Sequence, residues 1–255
     1  MVTLPAPPDF RLDGRRALVT GASRGIGLAA AASLAAQGAQ VTLAARGRAE
    51  LEEAVAAIRA AGGLAEPLEL DVTDTEAVRK SLADLPAFDI LVNNAGTNRP
   101  EPFTQVSPET FDAIFGLNVR AAFFVAQTVA ERLLAEGKPG SIINMSSQMG
   151  HVGAKDRTVY CASKHAIEGL TKAMAVELGS AGIRVNTICP TFIETAMTAP
   201  MFENQTFRRG VLDKIKLGRL GRLEDVTGAV VFLASDASAL VTGTSLKVDG
   251  GWTAE

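Results

Sequence analysis

Short β-branched runs and alanine-rich helical stretches take turns along this chain from Arg16 almost to its end. That alternation is the feature that leaves the fewest folds open. Its spacing predicts strands over residues 16–20, 40–45, 65–69, 90–93, 140–145, 184–188 and 245–248. Helices are expected between them, over 25–37, 48–60, 75–85, 110–136, 158–179 and 223–235. The strand segments do not alternate polar with apolar residues, so both of their faces should be covered. Strand–helix–strand order then requires right-handed crossovers, and a three-layer, doubly wound α/β fold around a parallel seven-stranded sheet follows.

No repeat, low-complexity tract or linker divides the chain, so its 255 residues are read as one domain, 1–255, with an N-terminal arm at 1–11. The longest irregular stretch, 191–221, follows a strand and so falls at the carboxyl edge of the sheet, where ligands bind. It is read as a lid over substrate, with a surface subdomain that only packs as the other reading. The net charge of −3 offers no basic face to a polyanion, so nucleic acid is not an expected partner. No apolar run is expected to reach bilayer length, and the N-terminus lacks the apolar centre of a signal peptide. The expectation is therefore no membrane and a cytoplasmic location. Cys161 and Cys189 suggest neither a disulfide framework nor a metal-ligand spacing.

The first strand runs into Thr20-Gly21-Ala22-Ser23-Arg24-Gly25-Ile26-Gly27 and then into a helix. Glycines at 21, 25 and 27 allow a tight turn and let a pyrophosphate reach the backbone at a helix N-terminus. Free N–H groups and the helix dipole favour negative charge there. Gly21, Ser23, Arg24, Gly25, Ile26 and Gly27 are thus candidate cofactor contacts. The spacing differs from the general Gly-x-Gly-x-x-Gly fingerprint. The second strand ends in Ala44-Ala45-Arg46, with no acid to take ribose hydroxyls. Arg46 and Arg24 could instead grip a 2′-phosphate, which favours NADP(H) while leaving NAD(H) open.

Tyr160 and Lys164 lie four apart on a predicted helix and share one face. A phenol with a reference pKa of about 10 is a poor base at neutral pH, and a neighbouring ammonium would bring it closer. A shift of about three units needs roughly 4 kcal/mol, more than one exposed pair supplies, so a cationic nicotinamide or local dipoles would share the task.

With these two residues in place, the chain resembles the short-chain dehydrogenases/reductases from Leu12 to Trp252. The resemblance rests on the Thr20-to-Gly27 turn, Asp71-Val72, Asn93-Asn94-Ala95-Gly96, Asn118, Ser147, Tyr160-x-x-x-Lys164 and Pro190 through Thr195. It implies a Rossmann-type fold and hydride transfer between a nicotinamide and a carbonyl or secondary alcohol. In that scheme Tyr160 is the acid/base, Ser147 polarises the substrate oxygen, and Lys164 binds the nicotinamide ribose and lowers the Tyr160 pKa. Asn118 holds a water of the proton relay. Asp71 and Val72 meet adenine, Asn93, Asn94, Ala95 and Gly96 support the cofactor, and Pro190, Ile193 and Thr195 border the carboxamide. No metal is required. One departure is visible, because Thr191 follows Pro190 where many relatives carry glycine.

The C-terminal half is similar to branches acting on sugar acids and polyols, such as the gluconate 5-dehydrogenases. It is also similar to carrier-protein-linked 3-oxoacyl reductases through Phe192-Ile193-Glu194-Thr195. Gln148, with His151 and Lys155, would suit a hydroxylated or anionic substrate, although a lone loop histidine is more often solvated. A catalytically silent NADP(H)-binding sensor or scaffold is the reading from another class. The resemblance also implies a homo-oligomer, commonly a tetramer, and the C-terminal stretch 243–252 is read as a segment that could pack on a neighbour.

Overall fold

The computed structural model describes residues 3–4, 6–196 and 198–255. Seven strands form one sheet: β1 (Arg16–Thr20), β2 (Gln40–Ala45), β3 (Leu64–Glu69), β4 (Ile90–Asn93), β5 (Gly140–Met145), β6 (Ile183–Pro190) and β7 (Ser245–Val248). All pairs are parallel, in the order β3-β2-β1-β4-β5-β6-β7. The expected fold class holds. Eight α-helices among the described residues complete it: α1 (Gly25–Ala36), α2 (Arg48–Ala60), α3 (Thr75–Ala83), α4 (Pro108–Phe115), α5 (Ala122–Ala135), α6 (Thr158–Leu178), α7 (Gln205–Leu212) and α8 (Leu223–Ala234).

The continuous apolar strands are explained by cover on both faces. Ala17 and Val19 of β1 join Leu34, Leu51 and Leu233 in a layer under α1, α2 and α8. Leu18, between them, points the other way to Val78, Val129 and Ala175 of α3, α5 and α6. Such two-sided burial is what a parallel sheet requires. β3 lies at an edge, which is where Pro67 is tolerated in a strand.

Two expectations need correction. The helix predicted over 110–136 is interrupted. α4 passes into a wide π-type turn, Gly116–Ala121, before α5 resumes. The whole run Pro108–Ala135 is also long and apolar enough, by length and composition, to cross a bilayer, against the expectation that no run would be. Half of it is buried in this fold, packed on α3 and α6, so core packing accounts for its apolar character.

The segment 191–221 has its own small core. Phe192 sits with ring centroids 5.8 Å from Phe202, 5.7 Å from Phe207 and 5.8 Å from Trp252. Val211, Ile215 and Leu220 complete it. Trp252 is therefore taken up inside its own chain, with Lys214 over its ring at 5.3 Å. The segment's two ends are pinned together, since Glu194 N donates to Gly221 O (2.8 Å) and Gly221 N to Phe192 O (3.0 Å).

Asp225 secures the exit from this segment. It accepts from Arg219 Nη1 at 2.6 Å and Nη2 at 2.8 Å, and from the backbone N of Arg222 at 2.7 Å, closing the start of α8. The Arg219 hydrogen bond, then that of Arg222, hold its carboxyl far below the usual carboxylate range. A depressed folded pKa adds stability above the unfolded value of about 4, and that stability is lost as pH falls through the folded one. Because Arg219 is half exposed, the ion pair is screened. Asp225→Asn is expected to cost about 1 kcal/mol at neutral pH, lowering Tm by about 2–4 °C. The deficit should narrow in thermal scans below about pH 4, and a constant deficit would exclude this origin.

Candidate active site

Strand order reverses direction between β1 and β4, so the crevice at their carboxyl ends is the place where an open α/β sheet admits a ligand. The glycine turn lies on one side of that crevice and the Asn94–Gly96 turn on the other. Gly21 has φ +62°, and a Cβ there would stand 3.0 Å from Ala95 Cα. Gly27 is tighter still, since a Cβ would come 2.3 Å from Gly21 O. Asn94 binds the two turns together. Its Nδ2 donates to Thr20 O (2.9 Å) and Gly21 O (3.2 Å), while Thr20 Oγ1 accepts from Asn94 N and Ala95 N, both at 3.0 Å.

The helix beyond the turn starts without a side-chain cap or a first-turn acid. Its leading N–H groups thus remain available to an anion. Gly25 has φ +58°, and a Cβ built on it meets only Thr195 Cγ2, at 4.0 Å. This is open space at a helix N-terminus, with Thr195 opposite. Ala22 N donates to Ala44 O (3.2 Å), which sets the turn beside the end of β2. Arg24 and Arg46 are both exposed there, as is Asp71, and Ser23 and Ile26 are partly buried. Bonds from Thr73, backbone first and hydroxyl second, hold the Asp71 carboxyl below its ordinary value, with a smaller pull from Arg46. Val72 is buried in the apolar layer below.

Asn93 does not belong to the crevice lining. It is buried, and its Nδ2 donates to Ala122 O (2.6 Å) and Asn144 Oδ1 (3.3 Å), so its side chain ties β4 to α5 and β5. Pro190 is buried at the end of β6 beside Val248. Ile193 is also buried, with its Cδ1 only 2.3 Å from a Cβ built on Gly221, so its side chain packs where the two ends of the 191–221 segment meet. Thr191, the residue in place of glycine, has a buried hydroxyl with no hydrogen-bond partner. An orphaned buried group beside the crevice is available to a polar ligand.

The reactive residues converge from three elements. Ser147 ends the loop after β5, Tyr160 and Lys164 come from the first turns of α6, and Asn118 comes from the π-type turn. Ser147 Oγ donates to Gln148 Oε1 (2.8 Å) and accepts from Met149 N (3.1 Å). Gln148 is 2% exposed, so it faces the serine hydroxyl and not an open substrate space, against the expectation for it. Ser146, the neighbouring hydroxyl, is buried without a well-formed hydrogen bond. Lys164 is buried, its Nζ 5.6 Å from the Tyr160 ring centroid and donating to Met145 O at 2.7 Å.

The expectation that Lys164 lowers the Tyr160 pKa is not met in this state. Tyr160 is only partly buried as a residue, yet desolvation of its hydroxyl pushes it up to about 12, and a hydrogen bond with Ser147 opposes the rise. Burial likewise brings Lys164 down to about 8, weakening its hold on a proton. The Lys164 ammonium donates its hydrogen bond to a backbone carbonyl, Met145 O, and not to the phenol.

Asn118 is buried. Its Oδ1 accepts from Thr97 N (2.8 Å), and its Nδ2 donates to Thr97 O (2.9 Å) and Ser163 Oγ (3.1 Å). Both amide hydrogens are used, one lone pair of Oδ1 is left, and the side chain positions the Gly96 turn against α6. A Cβ on Gly96 would lie 3.3 Å from Asn118 Oδ1 and 3.8 Å from Lys164 Nζ. Glu168, which was not singled out from the sequence, also lies nearby. His151 turns inward to Cys189 and Glu168, and Lys155 stays exposed. A clue to Glu168 was present, because it stands one helical turn after Lys164 as an acid on the buried stripe of α6.

A cleft of about 540 Å³ opens within the 191–221 segment, lined by Glu194, Thr195, Ala196, Ala199, Phe202 and Glu203. Comparison with known proteins agrees with this geometry. A family model described as enoyl-(acyl carrier protein) reductase matches residues 21–253. D-erythrulose reductase of Gallus gallus is 42% identical over 245 residues, 96% of this chain and 98% of that protein. Gluconate 5-dehydrogenase of Gluconobacter oxydans is 40% identical, covering 97% of this chain and 98% of its own length. Among solved structures, a gluconate 5-dehydrogenase from Burkholderia cenocepacia in complex with NADP and tartrate superposes with a TM-score of 0.93. It is 36% identical and covers 97% of this chain and 98% of its own.

Proposed function

Because the chain belongs to the short-chain dehydrogenase/reductase family, we propose that it is an NADP(H)-dependent oxidoreductase interconverting a keto sugar or sugar acid with its alcohol. The observation that carries this reading is the convergence of Ser147, Tyr160 and Lys164 beside a glycine cradle that a phosphate would fill. Gly21, Ser23, Gly25, Ile26 and the start of α1 would hold the pyrophosphate. Arg24 and Arg46 would take the 2′-phosphate, Asp71 and Val72 the adenine, and Thr191 and Thr195 the carboxamide end. When bound, the dinucleotide supplies or accepts the hydride.

The chain's own residues handle the proton. With its phenol pushed up to about 12, Tyr160 is protonated at neutral pH and ready to donate to a carbonyl oxygen. Ser147 donates to the same oxygen once it releases Gln148, which holds the carbonyl in place and polarises it. Lys164 would bind the ribose hydroxyls and would place positive charge behind the forming phenolate. Asn118 keeps the Gly96 turn against α6.

A homotetramer and a cytoplasmic location fit the same reading. Exposed Phe111, Phe123, Val176 and Leu240 support self-association, and the free thiols of Cys161 and Cys189 suit a reducing compartment. The test is loss of 340 nm absorbance with NADPH against ketoses, keto-gluconates and 3-oxoacyl thioesters. Turnover of the first two groups is expected, and turnover confined to thioesters would overturn the substrate class. In the same assay Arg46→Asp should lose about 1.5–3 kcal/mol of phosphate recognition, or about ten- to hundred-fold in kcat/KM for NADPH, while NADH use rises.

A further inference from the structure

One helical turn beyond Lys164, three side chains from three elements meet at a point that the hydride reaction does not use. His151 comes from the turn after Ser147, Glu168 from α6 and Cys189 from β6. His151 Nε2 lies 3.3 Å from Cys189 Sγ, Cys189 Sγ lies 3.3 Å from Glu168 Oε1, and His151 Nε2 lies 3.7 Å from that same oxygen. Glu168 and Cys189 are buried, and His151 is half-buried. Tetrahedral zinc, with bonds of about 2.0–2.3 Å, separates its nitrogen, oxygen and sulfur ligand atoms by roughly 3.3–3.6 Å. The triangle already has nearly those sides.

We propose that His151, Glu168 and Cys189 form a binding site for a thiophilic divalent cation of the Zn²⁺ kind, separate from the dinucleotide crevice. The donor set selects such an ion, because a thiolate beside an imidazole disfavours Mg²⁺ or Ca²⁺. Two further observations support the site. The buried Ser146 hydroxyl has no well-formed hydrogen bond and its only polar interaction is with the Cys189 thiol, so it can complete the coordination directly or through a water. Glu168 also accepts from Thr187 Oγ1 at 3.0 Å and from Ser245, the outer bonds that orient a ligating carboxylate.

Without an ion, burial pushes the Cys189 thiol up to about 12, and it donates to Glu168 as a neutral S–H. On binding, the thiol proton leaves to solvent, a sulfur–metal bond replaces S–H···O, and neutral His151 gives its Nε2 lone pair. The ion would then clamp the loop carrying Ser147 to α6 and β6.

Titration of the purified full chain with Co²⁺ tests this. A stoichiometric thiolate-to-cobalt charge-transfer band is expected in the near ultraviolet, lost in Cys189→Ser and retained in Cys161→Ser. Zn²⁺ should displace the cobalt and raise Tm by several degrees, with EDTA reversing the rise. No band in the wild-type chain, or one that persists in Cys189→Ser, would leave a hydrogen-bonded network and overturn the site. Should Cys189→Ser fail to fold, X-ray absorption of the zinc-loaded wild type decides. One sulfur neighbour near 2.3 Å supports the site, and none removes it.

Discussion

Tyr160→Phe is expected to lose about 10²–10⁴-fold in kcat while NADPH binding is nearly unchanged. The ring stays, so packing in α6 is preserved, and only the transferable proton disappears. Stopped-flow or steady-state assays beside a fluorescence titration of NADPH would separate the two. Full activity in the variant would exclude Tyr160 as the acid and favour the silent scaffold. The pH profile adds a second reading. Reduction needs a protonated phenol and a charged lysine, so its rate should fall as pH rises past about 8, where buried Lys164 loses its proton. Tyr160 is the only tyrosine in the chain, so ultraviolet titration of its phenol follows this group alone. A value near 12 is expected in the free protein.

Glycine substitutions in the first turn should give the other large effect, and two of them should separate stability from binding. A Cβ on Gly27 would come 2.3 Å from Gly21 O and 2.5 Å from Asn94 Nδ2. The first of these is backbone and cannot rotate away, so Gly27→Ala should cost about 3 kcal/mol and lower Tm by about 6–12 °C. Gly25→Ala meets open space and suffers chiefly the strain of positive φ, about 1 kcal/mol. Its methyl group would instead stand where the phosphate belongs, so NADPH affinity should fall much further than Tm. If calorimetry and NADPH titration rank the two variants the other way round, this account of the cradle is wrong.

The fold was legible in the sequence because its signals are local. Runs such as Ala17-Leu18-Val19 and Ile90-Leu91-Val92 bury both faces, and that requires helices on each side whatever the connection. The glycine turn was legible for the same reason, since three backbone demands fall within eight residues. What sequence reasoning missed depends on distant partners. The π-type turn at Asn118 arises where a continuous apolar pattern must also place one amide against Thr97 and Ser163, and periodicity carries no mark of that. Gln148 looked like a polar substrate contact, but the bend after β5 folds it back on Ser147. The phenol–ammonium pair was read from i,i+4 spacing alone, which cannot show that Met145 O captures the lysine. His151, Glu168 and Cys189 span 38 positions and three elements, so no ligand spacing could have joined them.

The aromatic interior of the 191–221 segment has a practical consequence. Its indole belongs to the only tryptophan in the chain, anchored three residues from the terminus yet embedded between Phe192 and Lys214. Emission from that single fluorophore therefore reports on one small part of the molecule. Any change of packing in that segment alters the polarity and quenching around the ring, so the protein carries its own optical gauge of this region, with no label attached.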